Sequence, residues 1–235
     1  METKELYDKI TEKTPERWLP YHEERFQCAL KAVKQSSEGI GVDVGGGDGR
    51  FAIKLNNYKK MINLDISKEA LRRAGKDINL ALTDVHELPF EKDSVSFIMC
   101  SEVIEHVENP EKLLAEIRRI LNPDGVLFLT LPNGFGFLGI FRDRLFQRAL
   151  NPVYTKMKQL PKGSITHINL FSFSRIKELI EKSGFEILDV RNADFACQIP
   201  TSLHLNFITK LDIKFAKFLP RKIANAWYFT CRVKK

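Results

Sequence analysis

Ile40-Gly41-Val42-Asp43-Val44-Gly45-Gly46-Gly47-Asp48-Gly49-Arg50-Phe51 is the stretch on which the reading of this 235-residue chain turns. Ile40, Val42 and Val44 alternate as the apolar residues of a buried strand do. Four glycines within positions 45–49 then force a tight turn before the helix-like run Phe51-Ala52-Ile53-Lys54-Leu55. Without Cβ atoms at Gly45 and Gly47, backbone N–H groups can approach a ligand closely, and the positive end of the following helix favours negative charge there. The stretch predicts a strand, a ligand-contacting loop and a helix, which together open a nucleotide-type pocket.

Dinucleotide sites space their glycines as G-x-G-x-x-G, whereas here they fall at Gly45, Gly47 and Gly49, with Arg50 where the last should be. Together with Asp43, this G-x-G-x-G pattern resembles motif I of the class I S-adenosylmethionine-dependent methyltransferases, D/E-x-G-x-G-x-G. The resemblance implies an α/β, Rossmann-like sheet of seven mostly parallel strands, with helices on both faces, an antiparallel last strand and small insertions capping the substrate side. It implies S-adenosylmethionine as cofactor, with Asp43, Gly45 and Gly47 among its contacts. A glycine-rich turn that binds nothing is the alternative, and later positions decide between the two.

Lys60-Met61-Ile62-Asn63-Leu64-Asp65-Ile66 reads as a second short strand ending in a carboxylate, one strand-helix-strand unit beyond Asp43. A carboxylate there can accept hydrogen bonds from both ribose hydroxyls. Asp65 could instead cap the next helix, but Ser67 fills that role better. A third strand, 78–82, runs into Thr83-Asp84-Val85-His86-Glu87-Leu88-Pro89-Phe90, which resembles the family's adenine-holding segment. Asp84 would accept from the exocyclic amine and Val85 would pack on the ring. Ile66 and Ser101, at the ends of the second and fourth strands, complete the expected cofactor set.

From Ser101-Glu102-Val103-Ile104-Glu105-His106-Val107 to the strand Val126–Pro132, the chain resembles the type 11 and ubiquinone-biosynthesis-like subgroup. Between these, Asn109-Pro110-Glu111 reads as a helix start and Leu113, Leu114, Ile117, Ile120 and Leu121 as its apolar stripe, ended by Asn122-Pro123-Asp124-Gly125. The likeness covers 39–133 except at Gly46, where most members have cysteine, a difference that reads as conservative. It resumes with the H-x-x-x-F-S run His167–Ser172, a helix stopped by Gly184, and a strand Phe185–Val190. The run Leu219-Pro220 to Trp227-Tyr228-Phe229 resembles members acting on glycans or lipid-linked substrates, and implies a last strand antiparallel to the fifth.

Length and 43% hydrophobic residues suit one large domain. Its expected parts are an N-terminal helical cap over 1–38, the cofactor core 39–133, a basic and aromatic insertion 134–165, and a C-terminal half 166–235. A cap helix is expected over 15–35, with Trp18 packed against the sheet. No apolar run is long enough to span a bilayer, and the charged N-terminus lacks a signal core, so a cytoplasmic location is expected. Cys28, Cys100, Cys197 and Cys231 are scattered, which argues against zinc ribbons and disulfides.

The net charge of +7 is unevenly spread. Residues 134–165 carry six Lys or Arg against one acid, and residues 201–235 carry eight against one, so the excess lies in two segments outside the repeating pattern. Within 203–222, Phe207, Ile208, Leu211, Phe215 and Phe218 share one helical face and Lys210, Lys214 and Lys217 another. Packing on the protein itself competes there with peripheral contact to anionic lipid.

Methyl transfer from a sulfonium is an in-line displacement, so alignment matters most, and a base is needed only if the acceptor carries a proton. For a hydroxyl acceptor His106, just past the fourth strand, is the candidate base, and His167 comes second. An alternative gathers Glu102, Glu105, His106 and His167 as a Mg²⁺ or Mn²⁺ site, an E-x-x-E-H arrangement that resembles the small-RNA 2′-O-methyltransferases. The preferred reading needs no metal and takes a small or lipid-linked, anionic acceptor. Nucleic acid is the weaker alternative, and a catalytically silent binding domain a third.

Overall fold

The structure is a computed structural model that describes residues 8, 18–75, 78–136, 167–195 and 206–235. Most of the basic insertion, residues 15–17 where the sequence predicts the cap helix to open, and Cys197 lie outside the described residues. In chain order the elements are α1 (Pro20–Val33), β1 (Gly41–Val44), α2 (Arg50–Leu55), β2 (Met61–Asp65), α3 (Lys68–Ala74), β3 (Asn79–Leu82), β4 (Val95–Ser101), α4 (Pro110–Ile120), β5 (Leu121–Pro132), α5 (Phe173–Lys182), β6 (Phe185–Asn192), α6 (Asn206–Ala216) and β7 (Ala226–Val233).

One seven-stranded sheet results, ordered β3-β2-β1-β4-β5-β7-β6. β1 pairs in parallel with β2 on one side and with β4 on the other, while β7 lies antiparallel between β5 and β6. The strand order reverses between β1 and β4, and that switch point opens a crevice at the carboxyl ends of the strands. Every residue of β1 is buried, Asp43 included, as are all of β4 before Ser101, as strands covered on both faces must be.

Side-chain alternation divides the core. Ile98 and Cys100 of β4 face the layer formed with Leu113, Leu114 and Ile117 of α4 and Ile176 and Ile180 of α5. Phe97 and Met99 face the opposite layer, formed with Phe26, Ala29, Leu30 and Val33 of α1 and Phe51 and Leu55 of α2. Two caps are as the sequence predicts, Asn109 accepting from the Lys112 N–H at 2.8 Å and Ser67 from that of Ala70 at 3.0 Å; Ser172 adds a third, accepting from the Arg175 N–H at 3.3 Å.

Several boundaries differ from the sequence reading. α1 begins only at Pro20, which takes the first helical position, where its missing N–H costs nothing. The Trp18 ring lies 5.5 Å from Phe51 and 6.3 Å from Phe26, with the Lys54 ammonium 3.8 Å above it, so its neighbours come from the helices flanking the glycine loop. β3 is shorter than expected and leaves Leu80 and Leu82 exposed, because it is the sheet's edge. Leu121 pairs with Val95, so β5 starts before the expected turn, and the register shifts before Val126 meets Phe97. Cys28, Cys100 and Cys231 are free and buried.

Candidate active site

Two adjoining cavities, of about 260 and 290 Å³, occupy the crevice and share Gly45 and Glu102 on their walls. The first is lined by Asp43, the Gly45–Gly47 turn, Ser101 and Arg25. Asp65, Ile66, Asp84, Val85 and His106 line the second. Every residue that the sequence singled out for the cofactor, together with the candidate base, lines one or both.

The glycine turn is shaped by its neighbours. Gly45 and Gly47 have φ of +67° and +59°, and a Cβ on Gly45 would fall 2.5 Å from Val103 Cγ2. Gly47 faces open space, with no heavy atom within 4 Å of where its Cβ would lie, and its N–H donates to Asp65 Oδ2 at 2.8 Å. Asp65 Oδ1 accepts from the Ser67 N–H at 2.7 Å. The Ile66 backbone N–H bonds the same carboxylate, so three main-chain donors fix its orientation at the end of β2, on the wall of the second cavity where a ribose would be met.

Gly46 is less replaceable than its sequence context suggests. A Cβ there would lie 2.0 Å from Asn63 Oδ1 and 2.7 Å from Asp43 Cγ. Fully buried Asn63 fills the space and donates from Nδ2 to the Gly47 carbonyl at 3.0 Å. In this chain the glycine is the steric complement of Asn63, so the reading of cysteine at this position as a conservative exchange is corrected.

Asp43 is buried, and its Oδ2 has no hydrogen-bond partner among the described residues. Burial, followed by the nearby Asp65 and Asp48 carboxylates, pushes its carboxyl up to about 8. An unpaired buried acceptor beside an open glycine cradle is what a site awaiting donors from a ligand presents. These residues fit the amino-acid and ribose portions of S-adenosylmethionine.

Arg25 carries a contribution that the sequence reading missed. From α1 its Nη1 donates to Ser101 Oγ at 3.0 Å, and its Nη2 pairs with Glu102 Oε1 at 3.2 Å. Its guanidinium lies 5.9 Å from the Phe51 ring and 5.7 Å from that of Tyr228. Burial disfavours its charge, but Glu102 and then Tyr228 outweigh that and hold its pKa above the ordinary value. Within the helix pattern nothing sets Arg25 apart from a solvated surface arginine.

Glu102 takes a left-handed φ of 57°, rare for a residue with a side chain, and both its ends are held by Thr130. Its N–H donates to the Thr130 carbonyl at 3.0 Å, and its Oε1 accepts from Thr130 Oγ1 at 2.9 Å. Glu102 is thus turned toward Arg25. The other three members of the E-x-x-E-H and histidine set converge: ligand atoms of Glu105, His106 and His167 all lie within 4.8 Å of one another. The two imidazoles meet edge to face at 5.0 Å, and buried Glu105 has Oε1 3.7 Å from His106 Nε2. His86, also not anticipated, lines the second cavity and pairs through Nδ1 with Asp84 Oδ1 at 2.8 Å. Despite the burial cost, its backbone and ring contacts hold the Asp84 carboxyl below the usual range.

A sheet of this order with a glycine turn at its switch point defines the class I methyltransferase fold. A family model described as a methyltransferase domain matches residues 14–190, and the chain belongs to that family. It is a class I S-adenosylmethionine-dependent methyltransferase. An S-adenosylmethionine-dependent methyltransferase of Thermotoga maritima is similar over 99% of both chains, with 24% identity and a TM-score of 0.64. Phosphoethanolamine N-methyltransferase 2 of Haemonchus contortus, solved with S-adenosylmethionine, is similar at 20% identity and a TM-score of 0.60, over 90% of this chain and 53% of that one. Among curated proteins, an uncharacterized protein of Methanocaldococcus jannaschii is 29% identical over 77% of this chain and 81% of its own length. The ubiquinone biosynthesis O-methyltransferase of Coxiella burnetii is 22% identical over 63% of this chain and 64% of its own.

Proposed function

We propose that the enzyme methylates a hydroxyl oxygen of a small, lipid-linked or glycan-like acceptor, with His106 as general base. The observation that carries this reading is the position of His106, on the wall of the cavity that also holds Asp65, Asp84 and Val85, with the Glu105 carboxylate beside it. When bound, S-adenosylmethionine supplies a methyl group on a positively charged sulfur. Asp65 would hold the ribose hydroxyls and Ile66 would pack beside them. Asp84 and Val85 would hold the adenine, and the Asp43, Gly45 and Gly47 turn would contact the amino-acid end. Arg25, fixed by Glu102 and Ser101, would face the carboxylate of that end. His106 would take the hydroxyl proton, and Glu105 would stabilise the imidazolium that forms. Alignment alone is worth on the order of 7–11 kcal/mol in such reactions, so the base adds to a site that chiefly positions. In this reading α1 caps the amino-acid end through Arg25.

The test is mass spectrometry of cell extracts incubated with the enzyme and isotopically labelled methyl donor. An O-methyl product is expected, and His106→Gln should slow its formation about 10²- to 10⁴-fold while leaving S-adenosylmethionine affinity unchanged. Label on nitrogen, or full activity in the variant, would contradict the assignment.

A second reading has one observation in its favour, the convergence of Glu105, His106 and His167. A mixed carboxylate and imidazole set suits Mg²⁺ or Mn²⁺, which would orient acceptor hydroxyls such as those of a terminal ribose in RNA. Activity retained in EDTA would favour the base; activity lost in EDTA and restored by Mn²⁺ would favour the ion.

A further inference from the structure

α6 packs Thr209, Ile213 and Ala216 against the protein and turns its other face to solvent. That outward face consists of Phe207, Ile208, Leu211 and Phe215, and Phe218 extends it just beyond the helix. Phe207 is 73% exposed, Phe215 56% and Phe218 87%. Exposed single apolar residues are ordinary, but three phenylalanines aligned with Ile208 and Leu211 form a contiguous ridge, which marks an interaction surface. Exposed Lys210 and Lys214 border this ridge, and Lys222 follows in the same segment. Asp212, the one acidic residue between 201 and 235, has Oδ2 accepting from the Phe195 N–H at 3.0 Å. The outward surface is thus apolar and cationic, with its single carboxylate engaged by backbone.

We propose that this face docks on an anionic lipid bilayer, with the phenylalanine ridge sunk among the acyl chains near the headgroups and the lysines on the phosphates. Convex aromatic and basic surface is what such an interface accepts. Two copies meeting through this face would each bring lysines and no unengaged carboxylate to offset them, whereas anionic headgroups supply the complementary charge. Among the described residues no helix is long and apolar enough to cross a membrane, so the contact is peripheral.

Location gives the docking a use. β6 ends at Asn192 beside Trp227, and β7 begins at Ala226 beside Pro132, so the segment holding α6 leaves and re-enters the sheet at the carboxyl edge where the glycine turn opens. Lys217, just past α6, pairs with Glu24 of α1 at 2.9 Å, next to Arg25 at the first cavity. A bilayer seated on this ridge would lie at the edge through which a lipid-linked acceptor enters. The docking rests on the acceptor reading for its purpose, though not for its geometry.

The test is sedimentation of the full chain with phosphatidylcholine vesicles prepared with and without phosphatidylglycerol, alongside calorimetric binding of S-adenosylmethionine to the same preparations. Wild type should pellet with the anionic vesicles only, and release with rising salt. The combined Phe207→Ser, Phe215→Ser and Phe218→Ser variant should remain in the supernatant. Replacing Lys210 and Lys214 by alanine should weaken binding about fivefold per residue. Calorimetry should be unchanged throughout, which separates failure of docking from failure of the methyltransferase site. Absence of wild-type binding, equal binding to both vesicles, or wild-type binding by the phenylalanine variant would overturn the proposal. So would a dimer in light scattering that this variant dissolves, an outcome that assigns the ridge to a second copy of the chain.

Discussion

At the scale of single residues, Gly46, Asp43 and Arg25 separate this chain's site from a generic glycine turn. Gly46→Cys would drive a Cβ to within 2.0 Å of Asn63 Oδ1, an overpacking expected to cost about 1–3 kcal/mol. Adding Asn63→Ser should recover much of that loss. Denaturant titration of the two single variants and the double variant gives the coupling, and additive losses would contradict the steric pairing. Asp43 makes a prediction in pH. Its folded value of about 8 lies above an unfolded value of about 3.9, so between them the folded chain holds a proton that the unfolded chain has released. The group therefore stabilises the cofactor-free fold least at the upper end of that window, and stability falls as pH rises through it. Asp43→Asn should melt higher than wild type near about pH 8 and approach it near about pH 5, as followed by scanning calorimetry. Parallel profiles would contradict the protonated state. Arg25→Met should weaken S-adenosylmethionine binding about tenfold to a hundredfold, the worth of a charge-assisted hydrogen bond, and calorimetry reads this directly.

At the scale of elements, what was legible in the sequence follows from how local each signal is. The glycine turn, the Asn109 and Ser67 caps and the buried strands β1 and β4 are specified within a few residues, and each forms as read. Asn109→Ala should cost about 1 kcal/mol in chemical denaturation, while a change below experimental error would mean that Pro110 alone sets the start of α4. β3 was overextended because a short apolar run does not reveal whether its strand lies at an edge. Arg25, Asn63 and His86 escaped notice for a different reason. Their roles come from α1, β2 and the loop after β3 meeting across the crevice, which single-residue spacing does not encode. The E-x-x-E-H run was legible as a cluster, but helical spacing could not foresee that Glu102 would adopt a left-handed backbone and turn to Thr130 and Arg25. The face of α6 that is buried likewise depended on where the helix docks.

At the scale of the whole molecule, reversal of strand order between β1 and β4 puts one cavity on either side of the Gly45 turn. The first joins α1 to the sheet; the second runs out toward His106 and His167. Antiparallel β7 returns the chain so that α6 and the run 167–172 before α5 flank the same edge, the latter through Gly134 N–H to the Phe171 carbonyl and Asn169 N–H to the Glu105 carbonyl. Cofactor crevice, candidate base and the segment that carries the exposed phenylalanine ridge thus meet at the carboxyl edge of the sheet, and the proposal of a lipid-linked hydroxyl acceptor builds on that arrangement. The central claim is that the crevice between the Gly45 turn and Asp65 holds the cofactor. Electron density from crystals grown with S-adenosylhomocysteine tests it most directly. The account predicts ribose hydroxyls on Asp65, adenine between Asp84 and Val85, and the amino-acid end beside Asp43 and Arg25. Density for the ligand elsewhere, or a crevice left vacant at saturating ligand, would contradict it.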